Sequence, residues 1–203
     1  SQLSACLKEN GFEVDLFDTT FYKTEEISSE QKRVELLQIK PFDLADGGLE
    51  LKKDNIYDDL RKKISKFQPD LIGLTLVEDT WELAKSLLDK VIKDFDIPVI
   101  AGGVLVTAVP EEIISHSEID MICLGEGEEA LIELCQRIKR SEDYSDVKNI
   151  WIKKDGKIIQ NSLRGLTDID ALPYIDYEIW DRDRLGRPMF GKIYTMIHVE
   201  IDR

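Results

Sequence analysis

Pro98-Val99-Ile100-Ala101-Gly102-Gly103-Val104 and Asp120-Met121-Ile122-Cys123-Leu124-Gly125-Glu126-Gly127-Glu128-Glu129 decide the fold of this chain. Each is a short apolar run that ends in glycines. Runs of this kind, bounded by turn residues and almost without polar interruption, are strands covered on both faces. In a parallel sheet the loops after such strands sit where ligands bind. The glycines therefore predict a backbone opened to a bulky guest rather than a simple turn.

Outward from these strands the pattern repeats. Ile56, Leu60, Ile64 and Phe67 form an apolar stripe on a helix, Gln68-Pro69-Asp70 turns the chain, and Leu71 to Val77 reads as a central buried strand. Thr80 caps an amphipathic helix from Trp81 to Lys93, a short helix runs from Pro110 to Ser115, and Gly127 to Lys139 is a helix with Ala130, Leu131, Leu134, Cys135 and Ile138 inward. Upstream, Leu3, Cys6 and Leu7 follow helical spacing to a stop at Asn10-Gly11, and Phe12 to Asp18 alternates as a strand does. Ser28 with Gln31 resembles a capping box before Val34 and Leu37. Alternating helices and apolar strands predict an α/β fold with a doubly wound parallel sheet.

The style changes after Arg140. Ile150-Trp151-Ile152 and Lys157-Ile158-Ile159 flank Lys154-Asp155-Gly156, an Asp-Gly hairpin signal. From Leu166 to Arg187 there is no period, and Lys192 to Ile201 is strand-like with no partner evident. The expected organisation is an α/β domain over 1–140 and a hairpin with a linker over 141–203.

Composition narrows the function. With 203 residues, 42% hydrophobic and 33% charged, the chain is an ordinary globular sequence, and its net charge of -14 opposes nucleic-acid phosphate and anionic membrane alike. Neither a membrane span nor a secretory leader is legible, so the cytoplasm is the expected compartment. Cys6, Cys123 and Cys135 are dispersed over separate elements and read as buried free thiols. His116 and His198 are too scattered for a metal or catalytic arrangement. No catalytic or metal-ligating residue is expected.

Taken singly, the motifs are ambiguous. Gly102-Gly103 is equally a βα turn with one incidental glycine. Gly125 to Glu129 opens a helix, where acids complement the dipole and glycines expose N–H donors. Thr75-Leu76-Val77 closes a strand, and threonine is common there. Their convergence on one sheet edge raises the ligand reading above the ordinary one.

Ala101-Gly102-Gly103-Val104 with Thr107 and Pro110-Glu111, followed by Ile119-Asp120 and Gly125-Glu126-Gly127-Glu128, resembles the cobalamin-binding domain that precedes the barrel in radical S-adenosylmethionine enzymes of the anaerobic magnesium-protoporphyrin ester cyclase type. Leu172-Pro173-Tyr174-Ile175-Asp176-Tyr177 is similar to that family's linker, and His198 to Arg203 to its first barrel strand. The resemblance implies a flavodoxin-like or Rossmann-like sheet holding cobalamin at its C-terminal edge. It implies Thr75, Leu76, Val77, Glu78, Gly102, Gly103, Val104, Thr107, Gly125, Glu126, Gly127 and Glu128 as cofactor-binding residues. It further implies a first strand before Ser1 and a cysteine loop after Arg203, so that the chain is truncated at both ends. The iron-sulfur cluster, S-adenosylmethionine and substrate then belong to the parent enzyme. No Asp-x-His-x-x-Gly motif offers a histidine to cobalt.

The expected function is to present the corrinoid to a downstream iron-sulfur barrel of the same chain for methyl transfer or cyclisation. The alternative is a cofactor-free docking or substrate-recognition module of the same enzyme. Replacement of Gly103 by leucine is expected to abolish binding while leaving folding largely intact.

Overall fold

The computed structural model describes residues 1–23, 34–38, 40–41, 48–190 and 192–197. They form two compact units. The first comprises Ser1–Asp15 and Leu60–Asp176, and the second is drawn from 16–59 and 177–203.

A five-stranded sheet organises the first unit. Its strands are β1 (Ile72–Thr75), β2 (Val99–Gly102), β3 (Met121–Cys123), β4 (Ile150–Lys154) and β5 (Lys157–Gln160), in that spatial order. β1 to β3 are parallel neighbours, whereas β4 and β5 are antiparallel. Helices connect the parallel strands: α3 (Trp81–Lys90) between β1 and β2, then α4 (Val104–Ala108) and α5 (Pro110–Ser115) between β2 and β3. After β3 come α6 (Glu128–Lys139) and the hairpin. This is a mixed, largely parallel α/β fold of the Rossmann-like and flavodoxin-like kind, with the hairpin at Asp155-Gly156 joined to the sheet through β4.

Burial explains the apolar runs. Ile100, Ala101, Met121 and Ile122 are buried on both faces of the sheet, covered by side chains such as Val106, Ile113, Ile114, Ala130 and Leu134. Leucine and isoleucine at these positions each contribute roughly 1.5–3 kcal/mol by leaving water. α1 (Gln2–Glu9) packs on α6. Asn10 ends α1 by donating its side-chain amide to the Cys6 carbonyl at 2.9 Å, and Gly11 turns the chain at φ 76°. α2 (Ile56–Phe67) buries Ile56, Leu60 and Ile64, and its first turn begins where Asn55 Oδ1 accepts the Tyr57 N–H at 2.9 Å.

Three expectations change. β1 is first in the sheet order rather than central, and Gly73 and Thr75 on it are exposed. An apolar run reports what a strand's faces meet, not its rank in the sheet. Residues 12–19 form no strand, because alternation supplies a face whereas a strand also needs a ladder partner, which the described residues do not offer. Lys192 to Ile201 is not partnerless: β7 (Lys192–Thr195) pairs antiparallel with β6 (Gly186–Met189). The capping box at Ser28 and Gln31, and the segment from His198 to Arg203, lie outside the described residues.

In the second unit, Tyr22 and Lys52 form a parallel bridge, and the Tyr22 hydroxyl donates to Asp59 Oδ2 at 2.9 Å. Burial, with the Asp59 charge beside it, pushes that phenol above its ordinary range.

Candidate functional site at the carboxyl edge of the sheet

The register fixes the site. Thr75 lies opposite Gly102, and Ala101 opposite Ile122, so the three parallel strands end together. The ladder continues past Thr75 where Leu76 N–H donates to the Gly102 carbonyl at 2.8 Å. The Leu76 carbonyl then accepts the Leu105 N–H at 3.3 Å. Beyond it, Val77 and Thr80 exchange hydrogen bonds through the Thr80 hydroxyl at 3.0 and 3.1 Å, closing a short turn that contains Glu78.

Gly103 is held by its own fold. Its φ is 108°, and a Cβ there would stand 2.6 Å from the Leu76 carbonyl oxygen. Contact that close with backbone cannot be relieved by a side-chain rotation. The expectation that Gly103→Leu leaves folding intact is therefore overturned, because the substitution strikes the β1–β2 junction before any ligand is involved. Gly102 is different: a Cβ would meet only Cys123 atoms at 3.9 Å, an ordinary contact.

Gly125 adopts φ 68° with nothing within 4 Å of a Cβ position, so its conformation is constrained while the space above it is open. Thr107 joins the two glycine loops. Its hydroxyl accepts the Gly125 N–H at 3.3 Å and approaches the Gly103 carbonyl at 3.4 Å. Thr75, Val77, Gly103, Val104, Thr107 and Gly125 are all exposed, with Val104 at 71%. The edge is thus a shelf of hydroxyls, glycine backbone and valine surface, with no ionisable group among these six residues.

The rest of the glutamate-glycine loop turns inward. Gly127 faces Leu3, Leu131 and the Cys123 sulfur, and Glu128 is buried. Burial, then the Glu128 charge, raises the Cys123 thiol to about 11. Glu126 is engaged by other segments: its carbonyl accepts from Asn149 Nδ2 at 2.7 Å and its carboxylate from the Thr167 N–H at 2.6 Å. Sequence reasoning missed Asn149. Its one local signal is an asparagine just before a strand, a place where φ of 70° is tolerated.

His116 lies just before β3, at the other end of the sheet, beside the Trp81 ring and 3.5 Å from Asp89. That end also carries a hollow of about 640 Å3 lined by Asp94, Asp96, Glu118, Asp120 and Lys153 among others. This hollow is acidic in most of its charged lining and remote from the glycines. Among the described residues no group of three His, Cys, Asp or Glu side chains could hold a metal ion, and no helix is long and apolar enough to cross a membrane.

The shelf suits a large, flat group with polar and apolar surface, which needs exposed hydroxyls, valine surface and unobstructed space over Gly125. Comparison with known proteins bears on which group that is. The chain is 29% identical over 154 residues to an uncharacterized methyltransferase of Pyrococcus horikoshii, covering 71% of this chain and 33% of that protein. The fold is similar to the radical S-adenosylmethionine methyltransferase TsrM from Kitasatospora setae, solved with cobalamin and a [4Fe-4S] cluster. That match has a TM-score of 0.59 and 19% identity over 82% of this chain and 26% of that one. The cobalamin-dependent S-adenosylmethionine radical enzyme OxsB matches in its apo form with a TM-score of 0.51 and 24% identity, over 58% of this chain and 17% of that one. The chain thus spans about a third of the length of its curated relative, and the B12 binding domain family matches residues 34–135, half of its sequence: this chain belongs to the B12-binding domain family.

Proposed function

We propose that this chain binds cobalamin at the carboxyl edge of its sheet and is the corrinoid-carrying part of a larger radical S-adenosylmethionine enzyme, in which it serves a barrel of the same polypeptide. Family membership supports the ligand. The observation that carries the location is the Thr107 hydroxyl on the Gly125 N–H, which ties both glycine loops into one surface. In this reading residues 1–140 form the cobalamin-binding domain and 141–203 lead toward the barrel. Cobalamin, when bound, supplies a cobalt that accepts and donates alkyl groups.

The chain's own residues hold and orient. Thr75, Val77 and Glu78 border one side, Gly102, Gly103, Val104 and Thr107 the floor, and Gly125 the other side, while Leu76, Glu126, Gly127 and Glu128 support this surface from behind. His116, at the opposite end of the sheet, is no ligand for cobalt. The iron-sulfur cluster, S-adenosylmethionine and the substrate belong to the parent enzyme, and the compartment is the cytoplasm.

Titration with hydroxocobalamin, followed by absorbance and equilibrium dialysis, tests this reading. Val104→Glu is the informative variant, because Val104 is exposed in the first turn of α4, where an acid does not disturb the helix. Saturable binding by the parent chain with at least tenfold weaker binding by Val104→Glu is expected. No binding by the parent chain, or equal binding by both, overturns it and favours the cofactor-free docking module.

A further inference from the structure

The segment after the hairpin is fastened to the glycine loop by side chains that neither fold nor family assigns to any role. Asn149 is the junction. Only 4% exposed, it spends both ends of its amide on different segments: Nδ2 donates to the Glu126 carbonyl at 2.7 Å, and Oδ1 accepts the Arg164 N–H at 2.6 Å. Its backbone repeats the connection, with its N–H on the Ser162 carbonyl at 2.9 Å and its carbonyl taking the Leu124 N–H at 2.8 Å. A second link bypasses it, from the Thr167 N–H to Glu126 Oε2 at 2.6 Å. Arg164 adds ion pairs to Glu133 and, at 3.6 Å, to Glu129 on the helix that the loop opens.

We infer that Asn149 and Glu126 are positioning residues that make the loop 124–127 and the segment 162–167 one mechanical unit, so that occupancy of the loop is transmitted to the segment leading out of the domain. The physical reason is the cost of breaking one half. Moving the Glu126 peptide strands a buried amide donor of Asn149, and moving the 162–167 segment strands its acceptor and breaks the Thr167 link to the Glu126 carboxylate. The arrangement in which all partners are satisfied together is favoured over any in which one half has moved alone. This device deepens the cobalamin reading and rests on it for the identity of the ligand, though not for the coupling itself.

Amide hydrogen exchange on the whole chain, with and without saturating hydroxocobalamin, tests the coupling. Asn149→Asp keeps the acceptor for Arg164 and loses the donor to Glu126, and Glu126→Ala removes the carboxylate while leaving the peptide. Peptides covering 124–127 and 162–167 are compared with a control covering 84–90 in α3. Without ligand, each variant is expected to speed exchange in both peptides together by fivefold or more, while the control stays unchanged. With ligand, the parent chain slows exchange in both peptides, whereas in Asn149→Asp the loop alone responds.

Acceleration of only one peptide in the ligand-free variants overturns the coupling. So does ligand protection of 162–167 in Asn149→Asp equal to that in the parent chain. Should the parent chain bind no hydroxocobalamin, the ligand reading fails and the ligand-free comparison still decides the coupling. Should a variant unfold, its control peptide accelerates too, and the other variant decides.

Discussion

Two glycine loops stand side by side at the edge of the sheet, and their glycines are there for opposite reasons. Gly103 is required from within: the Leu76 carbonyl occupies the place where its Cβ would be. Gly125 is required only by its backbone angle, with empty space where its Cβ would project. The first glycine is a packing residue that borders the proposed ligand surface, and the second leaves room that none of the described residues fills. The two loops therefore mix a glycine held by packing with a glycine that leaves access, and only the latter bears directly on the proposed ligand site.

The largest expected effect falls on the first loop. Gly103→Ala should lower stability by about 3 kcal/mol in urea denaturation, from the strained φ together with the backbone clash. A midpoint equal to that of the parent chain would collapse the contrast between the loops.

Cys123 lies beneath both loops, with Gly102 against its Cβ and Gly127 against its sulfur, so its titration reads how well the two together exclude water. Its thiol is raised to about 11 from an ordinary value near 9. A raised pKa in the folded state means that the stabilisation is complete below pH 9 and is lost as pH climbs to 11, because the unfolded chain releases its proton first. The loss is on the order of 2 to 3 kcal/mol. Cys123→Ala should flatten that part of the pH–stability curve, and an unchanged slope would show the thiol to be wet.

Gly125→Ala should cost only about 1 kcal/mol, through φ alone. Hydroxocobalamin affinity should fall by more than that stability change implies, which a titration alongside the melt measures. Smallest is Thr107→Val, which removes the acceptor of the Gly125 N–H at an exposed site and should cost about 0.5 kcal/mol. A loss as large as that of Gly103→Ala would mean that the loops are one structural element after all.

Much of this arrangement was legible in the residues, and the gaps have physical causes. Strands β2 and β3 announced themselves because both their faces are buried, which forces uninterrupted apolar runs at 99–102 and 121–123. The rank of β1 was not legible, since sheet order depends on crossovers that no local pattern encodes. Residues 12–18 alternate without forming a ladder because pairing is a property of two segments. β6 escaped notice because Gly186-Arg187-Pro188-Met189 carries no alternation, and its partner supplies the order. In the site, Thr75, Gly102, Thr107 and Gly125 follow from strand-end topology. Asn149 does not, because it stands just before a strand that joins the sheet antiparallel, and its importance lies in partners distant along the chain.

The stretch from Asn161 to Asp176 has a consequence of scale. Asn161 donates to the Ser145 and Ile150 carbonyls, Gln2 to the Pro173 carbonyl at 2.9 Å, and Lys8 pairs with Asp176 at 2.7 Å, so the stretch is lashed down along its course. A free tether of about 16 residues would let its far end roam with a root-mean-square reach of roughly 20–24 Å. Here the exit at Asp176 keeps a set separation from the glycine edge, and that separation is a dimension of the fold instead of an average over chain statistics. In the proposed role, effective concentration, ordinarily governed by linker length, would be governed over this stretch by geometry.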